Sequence, residues 1–323
     1  MSEARLQFVV GKGGVGKSTL TAALALASAS QGRRTLAIEF GGRGGLSRLF
    51  GVSEAPIGEA RDVRPGLTVL ALGGDEALAE YLRLVIPIKR LLSAVFASRL
   101  YRVFVAAAPG LKELMTVGKV WFEADRRLAG GEPAWERIFV DAGASGHSLQ
   151  YLQMPSAAAA AFRSGLVHRE ATRVQALLAD PQHTCVHVVA TPEEMPVTEA
   201  SSIVARLRDP LQLPVGKLFL NRCRLVSPPG VAESLRLLDD LDLADVDGVL
   251  REALREAARS ALGWEDVQEA AATRIAEETG LDAVRLPLLV RDEFGLAEAG
   301  ELAALLAAAP GVGRAKRGAG RNR

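Results

Sequence analysis

Short apolar runs alternate along this chain with longer stretches of helical character. Such runs are typical of buried strands, and their alternation with helices indicates a parallel sheet. The pattern therefore predicts an α/β fold, with a doubly wound, mainly parallel sheet and helices packed against it. The predicted strands are Leu6–Val10, Thr35–Phe40, Leu67–Leu72, Arg137–Val140, Thr184–Ala190, Lys217–Leu220 and Ala283–Leu286.

A glycine-rich segment, G-K-G-G-V-G-K-S-T, follows the first predicted strand and precedes a helix-like stretch. Glycines let backbone N–H groups converge on phosphate oxygens, the helix N-terminus adds positive potential, and a lysine supplies a full charge. A serine at the end of the segment is placed to ligate Mg²⁺. This context favours a phosphate-binding loop over a merely flexible turn. The candidate nucleotide-binding residues are Gly11, Lys12, Gly13, Gly14, Val15, Gly16, Lys17, Ser18 and Thr19, with Ser18 as the metal ligand.

The segment Gly11–Thr19 resembles the deviant Walker A motif, in which an early lysine, here Lys12, precedes the usual one. That motif belongs to dimeric ATPases that include the arsenite-pump, tail-anchored-protein targeting, septum-positioning and plasmid-partition ATPases. The resemblance implies a P-loop NTPase fold with ATP or ADP and Mg²⁺ as cofactors. It also implies a homodimer, or a heterodimer with a paralogous ATPase, in which Lys12 reaches the other subunit's phosphates. A solvated loop lysine is the alternative for Lys12.

An aspartate, Asp141, ends the fourth predicted strand and begins the segment D-A-G-A-S-G-H-S-L. A carboxylate at the tip of an apolar strand is where a magnesium-bound water is held in such ATPases. The segment resembles switch II of the arsenite-pump and tail-anchored-targeting ATPases, D-T-A-P-T-G-H-T-L. Gly143-Ala144 stands in place of Ala-Pro, which predicts a more pliable switch, and His147 keeps its place, with a buried structural histidine as the alternative. The catalytic candidates are thus Lys12, Lys17 and Asp141, with Asp141 also a metal candidate.

The segment after the second predicted strand, Glu39–Ser47, departs from the family pattern. Aligning its Leu-Ser with that of switch I puts Gly41 where the family carries a water-activating aspartate. Glu39, two residues earlier, is expected on the strand, and Arg43 is either a phosphate ligand or a solvated arginine. Two interpretations follow: slow intrinsic ATP hydrolysis, or a weakly hydrolysing subunit of a heterodimer whose paralogue keeps the aspartate.

Two further segments resemble the same family in the expected order. Asn221 follows a strand, as does the family's asparagine that reads the adenine edge, since a side-chain amide can both donate and accept. The segment P-L-L-x3-E-F-G from Pro287 resembles the one that closes over the base. Asn221 and Pro287 are therefore candidate nucleotide contacts.

The predicted organisation is one ATPase domain, residues 1–313, followed by a disordered basic tail, 314–323. Helical insertions are expected at about 78–128 and 155–180, with a helical excursion at about 230–280. The apolar stretch 81–122 is punctuated by Lys and Arg, so it is amphipathic. It is read either as a groove for a hydrophobic helical or membrane-protein client, or as a hairpin packed on the core.

Charge and cysteine content restrict the binding partners that we expect for this chain. A formal net charge of +1 gives no global field that favours nucleic acid, so no nucleic acid is expected. No 18-residue apolar span and no secretory signal are read from the chain, which favours a cytoplasmic protein. Cys185 and Cys223 are isolated, so neither a zinc bridge nor an arsenite-binding cysteine cluster is expected.

Three classes of function remain from the sequence. The first is a dimeric nucleotide-switch ATPase that acts on a hydrophobic or membrane-associated client. The second is a partition-type ATPase that binds DNA or membrane, which the near-neutral charge and the ending G-H-S-L disfavour. The third is a nucleotide-binding regulatory partner with little hydrolysis, which the glycine at position 41 motivates.

Overall fold

The computed structural model describes residues 3–42, 44–85, 98, 110–143, 145–224 and 247–308. Several predictions fall on other residues and lie outside this description. They are the phosphate contact of Arg43, the pliability expected from Ala144, most of the apolar stretch 81–122, the first part of the 230–280 excursion and the basic tail. The division into one domain and a tail therefore stays a prediction.

The described residues form strands and helices in alternation, as the apolar pattern predicts. The strands are β1 Leu6–Gly11, β2 Thr35–Phe40, β3 Ala60–Arg64, β4 Leu67–Leu72, β5 Arg137–Asp141, β6 Thr184–Ala190, β7 Val215–Cys223 and β8 Ala283–Pro287. The helices are α1 Lys17–Ser30, α2 Gly45–Leu49, α3 Gly74–Val85, α4 Leu111–Asp125, α5 Ser145–Ala161, α6 Gly165–Ala179, α7 Glu194–Arg208, α8 Gly248–Thr279 and α9 Leu296–Ala308.

All eight strands join one sheet in the order β3-β4-β2-β5-β1-β6-β7-β8. Every neighbouring pair is parallel except β3 and β4, which are antiparallel. The α/β fold with a mainly parallel sheet is thus confirmed, and so is each predicted strand. The edge strand β3 was not predicted.

Helices cover both faces of the sheet, and each face has its own apolar core. One core includes residues of α4, α5, α6, α7 and α8, for example Val120, Leu152, Leu178, Ile203 and Ile275. The other core includes residues of α1, α2 and α9. Because the strands are buried on both faces, they read as continuous apolar runs rather than as alternating ones.

Helix α1 is buried along most of its length. Its buried residues run without interruption from Leu20 to Ser28, and most of them are alanine or leucine. The helix lies between the sheet and α9. Small side chains allow this close approach of helix to sheet and of helix to helix.

Within the described ranges, none of the helices combines the length and the hydrophobicity needed to cross a bilayer.

Candidate functional site

The glycine-rich loop links the end of β1 to the start of α1, at the carboxyl edge of the sheet. Gly11 is the last residue of β1, Lys12 to Gly16 form the loop, and Lys17, Ser18 and Thr19 form the first turn of α1. The carboxyl edge of a parallel α/β sheet is where ligands bind in this class of fold. The structure therefore places the predicted loop where a ligand site belongs.

Two glycines of the loop are required by close contacts and by backbone conformation. Gly11 has φ +151°, and a Cβ there would overlap the carbonyl oxygen of Val189 in β6. Gly16 has φ +95°, and a Cβ there would overlap the side-chain amide of Asn221. Positive φ is accessible to glycine at little cost. By contrast, Gly13 and Gly14 are exposed and no atom lies within 4 Å of the position of their missing Cβ, so this side of the loop is open.

Lys17 is buried at the centre of the loop, with 7% of its surface exposed. Its Nζ donates a hydrogen bond to the carbonyl oxygen of Lys12, 2.8 Å away. Burial lowers the pKa of the Lys17 ammonium, while the negative charges of Asp141 and Glu199 act in the opposite direction. The loop thus wraps its own backbone around one desolvated cation, which is the arrangement that attracts a phosphate.

Ser18 and Asp141 meet beside this lysine. The Ser18 hydroxyl donates to Oδ2 of Asp141, and the backbone N–H of Gly143 donates to Oδ1 over 3.2 Å. Asp141 reaches this position because β5 pairs with β1, with Val9 and Asp141 in register. A hydroxyl and a carboxylate are the hard oxygen ligands that Mg²⁺ prefers. The pair therefore has the chemistry of a Mg²⁺ site.

Asn221 lies in β7, is 5% exposed, and donates from Nδ2 to the carbonyl oxygen of Val15 at 2.8 Å. One amide hydrogen is thus committed to the loop, a contact that sequence reasoning did not find. Pro287 ends β8, is half-buried, and lies in register with Cys223. The adenine contacts of Asn221 and Pro287 stay predictions.

The glycine segment after β2 approaches the same edge of the sheet. Glu39 lies on β2, as expected, and its two carboxylate oxygens accept from the backbone N–H groups of Gly45 and Leu46 at 3.1 and 3.0 Å. Gly41 follows the strand with φ +87°, and its N–H donates to the carbonyl oxygen of Leu72. Among the described residues of the segment Glu39–Ser47, the acidic side chain is Glu39, and its carboxylate is already hydrogen-bonded to backbone N–H groups.

Besides the contact between Asn221 and Val15, two features of the site were not predicted from the sequence. Glu199, in the second turn of α7, contributes charge to the environment of Lys17, and the hydrogen bonds of Glu39 were not foreseen. No local motif marks either residue. The available signal was strand order, because β6 and α7 must lie beside β1 once those strands pair. His147 belongs to the first turn of α5, and its side chain lies outside the description.

A glycine loop around a buried lysine, followed by a helix and faced by a strand-end aspartate, defines a P-loop nucleotide-binding domain. Comparison with known families gives the particular class: the model of the anion-transporting ATPases (ArsA ATPase) matches residues 4–169. This range includes the loop, Ser18 and Asp141. The chain belongs to the anion-transporting ATPase family and has the ATPase domain of that family.

Similarity to individual proteins supports the same family assignment. The chain is 31% identical over 316 residues to the ATPase BagA of Mycobacterium tuberculosis, and the match covers 90% of this chain and 87% of BagA. It is 27% identical over 158 residues to the arsenical pump-driving ATPase of Acidiphilium multivorum, covering 46% of this chain and 25% of that protein. The similarity to BagA extends beyond the family model and includes most of the sheet.

Proposed function

We propose that this chain is a cytoplasmic, dimeric nucleotide-switch ATPase that binds ATP with Mg²⁺ and hydrolyses it slowly. The observation that carries the proposal is the convergence of Lys17, Ser18 and Asp141 on one loop whose outer side is open. Membership of the anion-transporting ATPase family supports the same activity.

Each residue has a distinct role in this proposal. Lys17 neutralises phosphate charge from inside the loop, and backbone N–H groups around Gly13 and Gly14 bind phosphate oxygens. Ser18 and Asp141 would hold Mg²⁺, which, when bound, stabilises negative charge on the outer phosphates. Positioning of the phosphates and electrostatic stabilisation of their charge supply most of the rate enhancement in this proposal.

Slow hydrolysis follows from position 41. Gly41 has no side chain with which to orient the attacking water, and the nearby Glu39 carboxylate accepts two backbone hydrogen bonds. A general base contributes about 10²- to 10⁴-fold to a rate. Its loss leaves a slow enzyme or, as a second candidate, a weakly hydrolysing subunit that a paralogue completes in a heterodimer.

Dimerisation is proposed from Lys12. This residue is half-buried beside the exposed Gly13 and Gly14, and its carbonyl oxygen, rather than its ammonium, is the group bound to Lys17. In the proposed dimer, this ammonium reaches phosphates bound by a second copy.

A hydrophobic or membrane-associated client is proposed from exposed apolar residues. Phe162, Leu166 and Val167 are exposed around the turn between α5 and α6 and support such a client.

The test combines nucleotide binding with mass measurement. Lys17→Ala removes the buried cation, and ATP affinity should fall by at least about 100-fold, because a charge-assisted contact to phosphate is lost in a desolvated site. Lys12→Ala is the matched variant: it should retain ADP binding by the monomer but lose the ATP-dependent doubling of mass. Unchanged ATP affinity in Lys17→Ala would refute the assignment of the loop, and a mass independent of ATP would refute the shared lysine.

A further inference from the structure

Glu39 holds the first turn of helix α2 by its carboxylate. Oε1 accepts from the N–H of Gly45 at 3.1 Å, and Oε2 accepts from the N–H of Leu46 at 3.0 Å. Glu39 is 6% exposed, and its bond to Leu46 is buried while its bond to Gly45 is partly buried. The first N–H groups of a helix have no partner within the helix, and a side-chain acceptor stabilises the helix start.

Glu39 lies beside Asp141, the candidate metal ligand, on the adjacent strand. Glu39 on β2 is in register with Asp141 on β5. Ala37 and Phe139, two residues earlier on these strands, both belong to the core that contains α1 and α2. Because side chains alternate along a strand, Glu39 and Asp141 project from that same face. The Glu39 side chain thus links the strand position beside Asp141 to the first turn of α2.

Helix α2 is anchored at its other side. Leu46 and Phe50 are buried in the core shared with α1, while Gly41, Gly42 and Gly44, which precede α2, all have positive φ. Glycines in this conformation impose little restraint of their own. The position of the segment between β2 and α2 therefore depends on the contacts at its two ends. Glu39 supplies the contact at the α2 end.

We propose that Glu39 is the positioning residue of this nucleotide site: by binding the first turn of α2, it fixes the glycine segment beside Asp141. The inference rests on the proposed ATPase function and names the residue that positions one segment of its site. The chain lacks an acid at position 41, and Glu39 on β2 orders the segment without replacing that missing base. Glu39 acts through backbone and is not assigned a contact with substrate.

The test uses Glu39→Gln, which keeps the size of the side chain but places an NH₂ group against one of the two backbone N–H groups. Hydrogen exchange of the full-length protein without nucleotide reports on the Gly45 and Leu46 amides directly. Losing its hydrogen bond to a charged acceptor should speed the exchange of the amide that faces the NH₂ group by about 10- to 100-fold. ATP hydrolysis should show kcat lowered by about 10- to 100-fold with KM changed by less than about 2-fold, because the defect is one of positioning.

Two companion variants separate position from charge. Glu39→Asp keeps the charge beside Asp141 but is one methylene too short to span both amides, so it should behave like Glu39→Gln. Glu54→Gln removes an exposed carboxylate that lies beside Gly44, and both readouts should stay within about 2-fold of the wild type.

The outcomes are distinct. Faster exchange accompanied by a loss of kcat in both Glu39 variants supports the proposal. Wild-type exchange in Glu39→Gln, or faster exchange with an unchanged kcat, overturns it while leaving the ATPase assignment intact. A wild-type protein that binds no adenine nucleotide would instead overturn the proposed function, whatever the amides of Gly45 and Leu46 show.

Discussion

The contact between Gly16 and Asn221 allows a quantitative test of how the phosphate loop is held. Asn221 donates to the carbonyl oxygen of Val15, and a methyl group at residue 16 would occupy the place of the Asn221 amide. Gly16→Ala should therefore both strain a backbone with φ +95° and displace that amide. The two costs can be separated by combining Gly16→Ala with Asn221→Ala.

The magnitudes follow from the geometry. A left-handed conformation costs a residue with a Cβ about 1–2 kcal/mol. A buried carbonyl left without its donor costs about 1–3 kcal/mol. Gly16→Ala should thus lower the free energy of unfolding by about 2–5 kcal/mol, and Asn221→Ala by about 1–3 kcal/mol. In the double variant the hydrogen bond is lost only once, so the two single effects should exceed the combined effect by about 1–3 kcal/mol.

The assay is urea unfolding of the nucleotide-free chain, repeated with a control at Gly14. Gly14 has φ +87° but no atom within 4 Å of the position of its Cβ, so Gly14→Ala introduces strain without displacing Asn221. It should cost about 1–2 kcal/mol and add to Asn221→Ala within about 0.5 kcal/mol. Equal coupling of both glycines to Asn221, or no coupling at Gly16, would refute the reasoning.

Two other predictions concern acid stability and turnover. Burial lowers the pKa of His187 from 6.5 to about 4, so between these values the unfolded chain binds a proton that the folded chain excludes. Stability should be insensitive to His187 above about pH 6.5 and fall by about 3 kcal/mol towards pH 4; His187→Gln should flatten this dependence, and urea unfolding across this pH range measures it. Gly41→Asp has room for a side chain and should raise turnover by about 100-fold despite about 1–2 kcal/mol of strain at φ +87°. Equal turnover in Gly41→Asp and the uncharged Gly41→Asn would contradict the alignment of switch I.

Much of the fold was accessible from sequence because the parallel strands are buried on both faces. Such strands appear as uninterrupted apolar runs, and Phe8-Val9-Val10 is an example. Strand β3 gives no such signal: it lies at the edge of the sheet and its residues, A-R-D-V-R, are alternately exposed and half-buried. Its pairing is fixed by the neighbouring β4 rather than by its own composition.

The residues of the candidate site were predictable where a local sequence pattern marks each of them. Lys17 and Ser18 belong to the loop motif, and Asp141 is marked as an acid at the end of an apolar strand. Asn221 was found as a polar residue after a strand, but its bond to Val15 joins residues 206 positions apart. The bonds of Glu39 were missed for a related reason, since its partners are backbone N–H groups, which no side-chain pattern identifies.

The burial of α1 has a mechanical consequence. Its uninterrupted run of buried residues from Leu20 to Ser28 resists tilting of the helix, since protein interiors are packed as densely as organic crystals. We therefore expect a rearrangement that accompanies ligand binding to occur in the glycine-containing connections at Gly41 and Gly143, which follow the neighbouring strands β2 and β5.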